Sequence, residues 1–141
     1  MSDRFVNLVK LSVGSESVED HADWQAEHFR GRNPEHVTRM WPKREADLLN
    51  GGSLYWVIKG LVLCRQRILG LEERRGSDGI LRCALILDPG IVRTEAQPKR
   101  AFQGWRYLDP KDAPRDVPKG RGVEGALPQK LVSALAEIGL R

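Results

Sequence analysis

The sequence predicts an α+β fold in which a small, mostly antiparallel sheet is curled and flanked by two or three helices. Segments with strand-like composition are grouped in the middle of the chain instead of alternating with helices. Grouped strands are typical of α+β folds, whereas a doubly wound parallel sheet requires regular alternation. The length of 141 residues fits one domain spanning residues 1–141.

The N-terminal part of the chain predicts a strand and a helix. Apolar and β-branched residues at 5–11 indicate the strand. A helix over 17–30 follows, because Ser17 is a good N-cap and because apolar residues recur behind it at helical spacing. This apolar stripe includes Ala22 and Ala26, and it predicts that the neighbouring Trp24 lies in the core. Pro42 then suits the first position of a second, short helix that ends at Asn50.

Several strands are predicted next, at 54–58, 61–71, 80–87, 91–95 and 103–108. Side chains alternate between the two faces of a strand, so Cys64 and Gln66 face one side while Arg65 and Arg67 face the other. The residues at 75–79 supply hairpin turn chemistry. Trp56 lies in the middle of an apolar strand, which predicts a core position.

The C-terminal part predicts an irregular stretch and a last helix. Prolines and glycines are frequent at 109–126, which favours irregular chain. Pro128 then opens a helix with Leu131, Leu135 and Ile138 on one face.

The composition of the chain indicates the cellular location that we expect for the protein. No signal peptide and no apolar run long enough for a bilayer is found, so we expect a cytoplasmic protein without membrane contact. The two cysteines, Cys64 and Cys83, lie in apolar runs and are expected to behave as small buried hydrophobes. Neither the spacing of metal ligands nor a glycine-rich nucleotide loop occurs, so no metal and no cofactor is predicted.

Four stretches of the sequence resemble an uncharacterised bacterial family, the domain of unknown function numbered 1489. They are TRMWPKR (Thr38–Arg44), GGSLYWVIKG (Gly51–Gly60), RQRI (Arg65–Ile68) and FQGWRYL (Phe102–Leu108). The resemblance covers nearly the whole chain but implies no catalytic residues. The element order over Arg44–Gly51, Leu54–Gly60 and Arg65–Gly70 is also similar to small PUA-like and ASCH-like β-barrels, a likeness that implies RNA or modified bases as ligands.

Basic residues are interleaved with aromatic ones in two segments, which we call segment 39–44 and segment 100–107. The net charge is only +4, so this local clustering is more informative than the total. Aromatic faces stack on unpaired bases while Arg and Lys contact phosphates. The predicted anion-binding residues are Arg39, Trp41, Lys43, Arg44, Arg65, Arg67, Arg100, Trp105, Arg106 and Tyr107. Two cations in the first turn of the second helix oppose its dipole, which an anionic partner would explain.

This pattern favours a binding module for RNA or a nucleotide-like anion, with the two segments meeting at one site. Trp41 and Trp105 are equally compatible with core packing, and Arg65 and Arg67 with a solvated face paired to Glu72 or Glu73. The three histidines are expected on the surface. Two alternatives remain open: a protein-interaction or assembly factor, and a small enzyme for an anionic nucleotide-like or carboxylated substrate. The enzyme would use an acid or base such as His36, Asp88 or Glu95.

Overall fold

A computed structural model describes residues 5–117. Within this range two α-helices and seven strands follow the chain order β1, α1, β2, α2, then β3 to β7. The elements are β1 (Asn7–Leu11), α1 (Val18–His28), β2 (Glu35–Thr38), α2 (Glu45–Leu49), β3 (Ser53–Ile58), β4 (Leu61–Arg75), β5 (Leu81–Leu87), β6 (Val92–Pro98) and β7 (Trp105–Leu108). A short 3-10 helix, Pro110–Asp112, comes after them.

The strands form one mixed sheet that curls into a half-barrel, which agrees with the predicted α+β class. Their order is β2-β5-β4-β3-β1-β7, and β6 pairs with β4. All pairs are antiparallel except β1 with β3, which run parallel. The parallel pair was not predicted, and it places β1 between β3 and β7.

The long strand β4 connects the two halves of the sheet. Its first part pairs with β3 and β6, and its second part pairs with β5. The change of partner coincides with a register shift between Ile68 and Gly70. A bulge of this kind increases local twist, so one strand can serve both halves and bend the sheet into its curled shape.

Apolar side chains cover both faces of the sheet. On the inner face, Leu54, Trp56 and Ile68 belong to the larger buried cluster. On the outer face, Val9 and Tyr55 belong to a smaller one, which Phe102 and Ala113 partly cover. The predicted alternation along β4 is confirmed, since Cys64, Gln66 and Ile68 are buried while Arg67 and Leu69 are exposed. Trp56 is buried as predicted.

The buried face of α1 differs from the predicted one. Ser17 caps the helix as expected, because its Oγ accepts a hydrogen bond from the Asp20 backbone N–H. The buried residues are Val18, His21 and Gln25, however, and not the alanine stripe. The prediction that Trp24 lies in the core is therefore wrong: 56% of this residue is exposed. The helix turns a polar face inward because it packs on a buried glutamine of β4.

The second helix begins later than predicted. It spans Glu45–Leu49, with Arg44 at the N-cap and Pro42 outside the helix. Acidic Glu45 and Asp47 occupy its first turn, and the Arg44 guanidinium pairs with the Asp47 carboxylate at 3.0 Å. The expected clash between two first-turn cations and the helix dipole is therefore wrong. The helix dipole therefore gives no reason to expect an anionic partner at this position.

The other boundaries are close to prediction, with one omission. Strand β2 was missed, since the four residues EHVT carry little strand signal. In the predicted irregular stretch, residues 109–117 contain the 3-10 helix and a single bridge between Thr94 and Asp116. The helix predicted from Pro128 lies outside the described residues. In the described part of the chain, no helix is long and apolar enough to cross a membrane.

Candidate functional site

Segments 39–44 and 100–107 are in direct contact, as the sequence predicted. The Trp105 indole N–H donates to the Met40 carbonyl at 2.8 Å. The Tyr107 hydroxyl oxygen accepts from the backbone N–H of Lys43 at 2.8 Å and of Arg44 at 3.2 Å. We call this contact region the junction. Because these bonds use backbone groups of segment 39–44, they fix the path of an otherwise irregular loop.

Aromatic side chains at the junction differ in accessibility. Trp105 is buried on the inner face, and its ring contacts that of Tyr107 edge-on at 4.9 Å. Trp41 and Tyr107 are each 38% exposed, and the Arg44 guanidinium lies 5.7 Å from the Tyr107 ring centre. Of these two tryptophans, Trp41 is therefore the accessible one.

The cations predicted for the site are distributed over both faces of the sheet. In the ladder with β1, Arg106 faces Val9 on the outer face, whereas Trp105 faces Lys10 on the inner face. Arg65 and Arg67 are also on the outer face, opposite Tyr55 and Ser53. The structure therefore joins segment 39–44, which contains Arg39, Trp41, Lys43 and Arg44, to Trp105 and Tyr107 of β7. It places Arg65, Arg67 and Arg106 on the other face of the sheet.

Arg65 is engaged within the fold. Its guanidinium makes a two-pronged ion pair with the Asp116 carboxylate, with both distances 2.8 Å, and donates to the Ser53 hydroxyl at 2.9 Å. The expected partners Glu72 and Glu73 are not used. This ion pair lowers the pKa of Asp116 and ties the segment after the 3-10 helix to β4. The Arg67 side chain is exposed and forms no hydrogen bond or ion pair with the residues described, whereas its backbone carbonyl accepts from the Asp88 N–H at 2.9 Å.

A cavity that the sequence did not predict lies beneath α1. Its volume is about 450 Å³. It is bounded by the end of β1 and the following turn, by α1, by His36 of β2 and by Trp56 of β3. The lining residues are Lys10, Leu11, Ser12, Val13, Gly14, Ser15, Asp20, His21, Trp24, His36 and Trp56. This volume is within the range of small-molecule sites.

A hydrogen-bonded network lies behind the cavity wall. The buried Gln66 amide oxygen accepts from the Trp56 indole N–H at 2.8 Å, and its amide nitrogen donates to the Asp88 carbonyl at 3.0 Å. Gln25 and Gln66 also exchange two amide hydrogen bonds, at 2.8 and 2.9 Å. Since the indole only donates and the carbonyl only accepts, the orientations of both amides are fixed.

These orientations determine the protonation of His21. The Gln25 amide nitrogen lies 3.1 Å from Nε2 of His21, so Nε2 must accept. The proton is therefore on Nδ1, which donates to the Ser12 hydroxyl at 2.8 Å, and Ser12 donates onward to Ser15. The histidine is neutral, and burial lowers its pKa. The expectation that all three histidines lie on the surface is wrong for His21, which is buried.

Lys10 and His36 face the cavity without partners. Neither side chain forms a hydrogen bond or an ion pair with the described residues. Burial lowers the pKa of Lys10. Burial, with a smaller effect from the Lys10 charge, lowers the pKa of His36 to about 4. The His36 ring meets Trp56 edge-on at 6.0 Å.

We expect the stability of the protein to fall as the pH is lowered from about 6.5 to about 4. The folded chain holds His36 neutral down to about pH 4, whereas the unfolded chain protonates it near pH 6.5. Between these values the unfolded state binds more protons, so the free energy of unfolding decreases by up to about 3 kcal/mol. Above pH 6.5 both states are neutral at His36 and the effect disappears. His21 acts in the same direction.

Urea unfolding of the wild type and of His36→Gln at pH 7 and pH 4.5 measures this dependence. The variant should lose less stability on acidification than the wild type, while the exposed His28→Gln control should behave like the wild type. Equal losses in all three proteins would contradict the assignment to His36.

Other residues proposed for chemistry lie elsewhere. Asp88 caps a turn, because its carboxylate accepts from the Gly90 N–H at 2.7 Å, and Glu95 is exposed near Arg115. Of the three proposed acids and bases, only His36 lines the cavity. Cys64 and Cys83 are buried as predicted, and burial raises their pKa to about 12 and about 11. Among the described residues, no group of three His, Cys, Asp or Glu side chains is placed to hold a metal ion.

A comparison with family models gives a match. The model described as "Protein of unknown function (DUF1489)" matches residues 8–141. No curated protein and no solved structure matches the chain.

Proposed function

The chain belongs to the DUF1489 family, whose description states no activity, and we propose that it is a binding module for single-stranded RNA or another nucleotide-like polyanion. The observation that carries this proposal is the junction. Two basic segments separated by about half of the described chain are held together there by three hydrogen bonds. Such a fixed arrangement lowers the cost of ordering a binding surface.

The charges at the junction support an anionic partner. Arg39 and Lys43 are exposed, and neither has an ion-pair partner among residues 5–117. Arg100, in the loop between β6 and β7, is exposed as well. Arg44 is partly neutralised by Asp47. Unpaired cations on a defined loop attract phosphate groups, and each such contact releases counterions.

Exposed rings at the same place support single-stranded ligands. Trp41 provides an accessible indole beside Lys43, and Tyr107 provides a partly exposed ring beneath Arg44. Stacking on such rings requires unpaired bases, and it tolerates different base sequences. The likeness to PUA-like barrels is compatible with this role and remains a hypothesis about the fold.

We expect Trp41→Ala to weaken the binding of a short fluorescein-labelled single-stranded RNA by about tenfold, the loss of one stacking contact. Fluorescence anisotropy at low salt measures the affinity. Trp24→Ala is the matched control, since it removes an exposed tryptophan outside the junction and should leave RNA binding unchanged.

Salt dependence tests the cations separately. In the double variant Arg39→Gln/Lys43→Gln, the negative slope of log K against log salt should become shallower by roughly 1.4, because two phosphate contacts on a single strand are lost. Lys111→Gln, an exposed lysine outside the junction, is the control. Wild-type protein that binds no RNA at low salt would overturn the proposed function.

A protein partner is the second candidate, and the exposed Met40 side chain favours it. Met40 and Trp41 are 46% and 38% exposed, and together they form an apolar patch beside the cations. A partner that uses this patch would bind with little dependence on salt, whereas RNA binding must weaken steeply as salt is added. The salt titration therefore distinguishes the two.

A further inference from the structure

The cavity beneath α1 is lined by none of the residues of segments 39–44 and 100–107, although Lys10 of its lining pairs with Trp105 in the ladder of β1 with β7. Rings form much of its wall. Trp56 forms part of the lining, with the rings of His21 and His36 against it at 4.5 and 6.0 Å. Trp24 is 56% exposed and also borders the cavity. A wall of this kind matches a flat ring better than a flexible chain.

The polar groups of the cavity differ in whether other residues of the fold supply their hydrogen-bond partners. The His21 ring has both nitrogens hydrogen-bonded, and Ser12 is bonded to His21 and Ser15. Asp20 accepts from the Glu16 backbone N–H at 2.9 Å. These groups require nothing from a ligand, apart from the Ser15 hydroxyl hydrogen, which has no acceptor among the described residues.

Two polar side chains of the cavity, Lys10 and His36, have no hydrogen-bond or ion-pair partner among the described residues. Lys10 is half-buried on β1, directly opposite Trp56 in the ladder with β3. His36 lies on β2, opposite Leu85 of β5. The titratable groups that line the cavity together with His36 are Lys10 from β1 and Asp20 and His21 from α1, whereas Trp56 and Leu85 carry no charge. A lysine ammonium taken partly out of water is costly unless an acceptor reaches it.

We propose that this cavity binds a small planar ring carrying an anionic oxygen group, with the ring against Trp24 and Trp56 and the anionic group in contact with Lys10 and His36. The anion supplies the acceptor that Lys10 lacks. It also favours the protonated form of His36, because an adjacent negative charge stabilises the imidazolium. Binding near neutral pH is therefore accompanied by uptake of a proton by His36.

Isothermal titration calorimetry of the full chain with benzoate and benzamide tests the charge requirement. The two probes share a ring and differ in the anionic group. Benzoate should bind roughly tenfold more tightly than benzamide, because charge-assisted hydrogen bonds are about twice as strong as neutral ones. In Lys10→Gln this difference should disappear, and in Lys111→Gln it should persist.

Two further readouts separate binding from a loss of folding. Trp24→Ala changes an exposed side chain, so it should fold normally and yet bind benzoate more weakly. Heats measured at pH 6.5 in PIPES and Bis-Tris, two buffers with different ionisation enthalpies, should reveal proton uptake that His36→Gln removes.

Three outcomes would overturn the proposal: undetectable benzoate binding at millimolar concentration, equal binding of benzoate and benzamide, or an unchanged difference between them in folded Lys10→Gln. None of these outcomes bears on RNA binding, which Trp41→Ala tests at the junction.

Discussion

Replacing Gly52 with alanine is expected to destabilise the protein by at least about 3 kcal/mol, so that a fraction of the molecules is unfolded. A β-carbon at this position would lie 2.1 Å from the Val6 carbonyl oxygen and 2.7 Å from the Leu48 carbonyl oxygen. Both neighbours are backbone atoms, so neither can rotate away. Gly52 also donates its N–H to the Leu48 carbonyl at 2.9 Å, which holds the end of α2 against the start of β3.

Gly70→Ala is the matched control for this change. Gly70 lies at the register shift of β4, and a β-carbon there would meet nothing within 4 Å. Its substitution should change stability by less than about 1 kcal/mol. Urea unfolding followed by circular dichroism compares the two variants. Similar midpoints for Gly52→Ala and the wild type would show that β1 and α2 can separate without loss of stability.

The sequence predicted the central strands because their signals are local. Alternating side chains over 61–71 and turn residues at 75–79 specify β4 and the hairpin to β5 without distant information. The parallel pairing of β1 with β3 depends instead on contacts between residues about 45 positions apart. No local sequence pattern predicts such a pairing. Strand β2 is similarly stabilised by its antiparallel partner β5 and not by its own composition.

Helix α1 shows why the candidate site was predicted only in part. Its apolar spacing indicated one face, whereas His21 and Gln25 are buried on another. Polar residues can face inward here because Gln66 of β4 supplies matched amide groups, and that complement lies forty-one positions away in the sequence. The junction was predicted because the interleaving of basic and aromatic residues in its two segments is visible in the sequence itself. The cavity was not, because it is formed by the turn after β1, α1, β2 and β3 together.

Gln66→Leu is expected to cost at least about 3 kcal/mol of stability, although leucine fits a buried strand position well. Gln66 is fully buried and makes four hydrogen bonds, to Trp56, Asp88 and, twice, Gln25. Leucine would leave the Trp56 indole N–H, the Asp88 carbonyl and the Gln25 amide without partners in the core. Each unpaired group costs about 1–3 kcal/mol. Gln103→Leu, at an exposed glutamine, is the control and should be nearly neutral.

The double variant Gln25→Leu/Gln66→Leu identifies the source of this cost. If unpaired amides cause it, removing both glutamines should be less destabilising than the sum of the single changes, since the second substitution removes a group that the first had left unpaired. Strict additivity would instead mean that the two amides stabilise the fold independently. The same network fixes the tautomer of His21 and the position of Trp56, so its loss should also weaken benzoate binding in the cavity while leaving RNA binding at the junction intact.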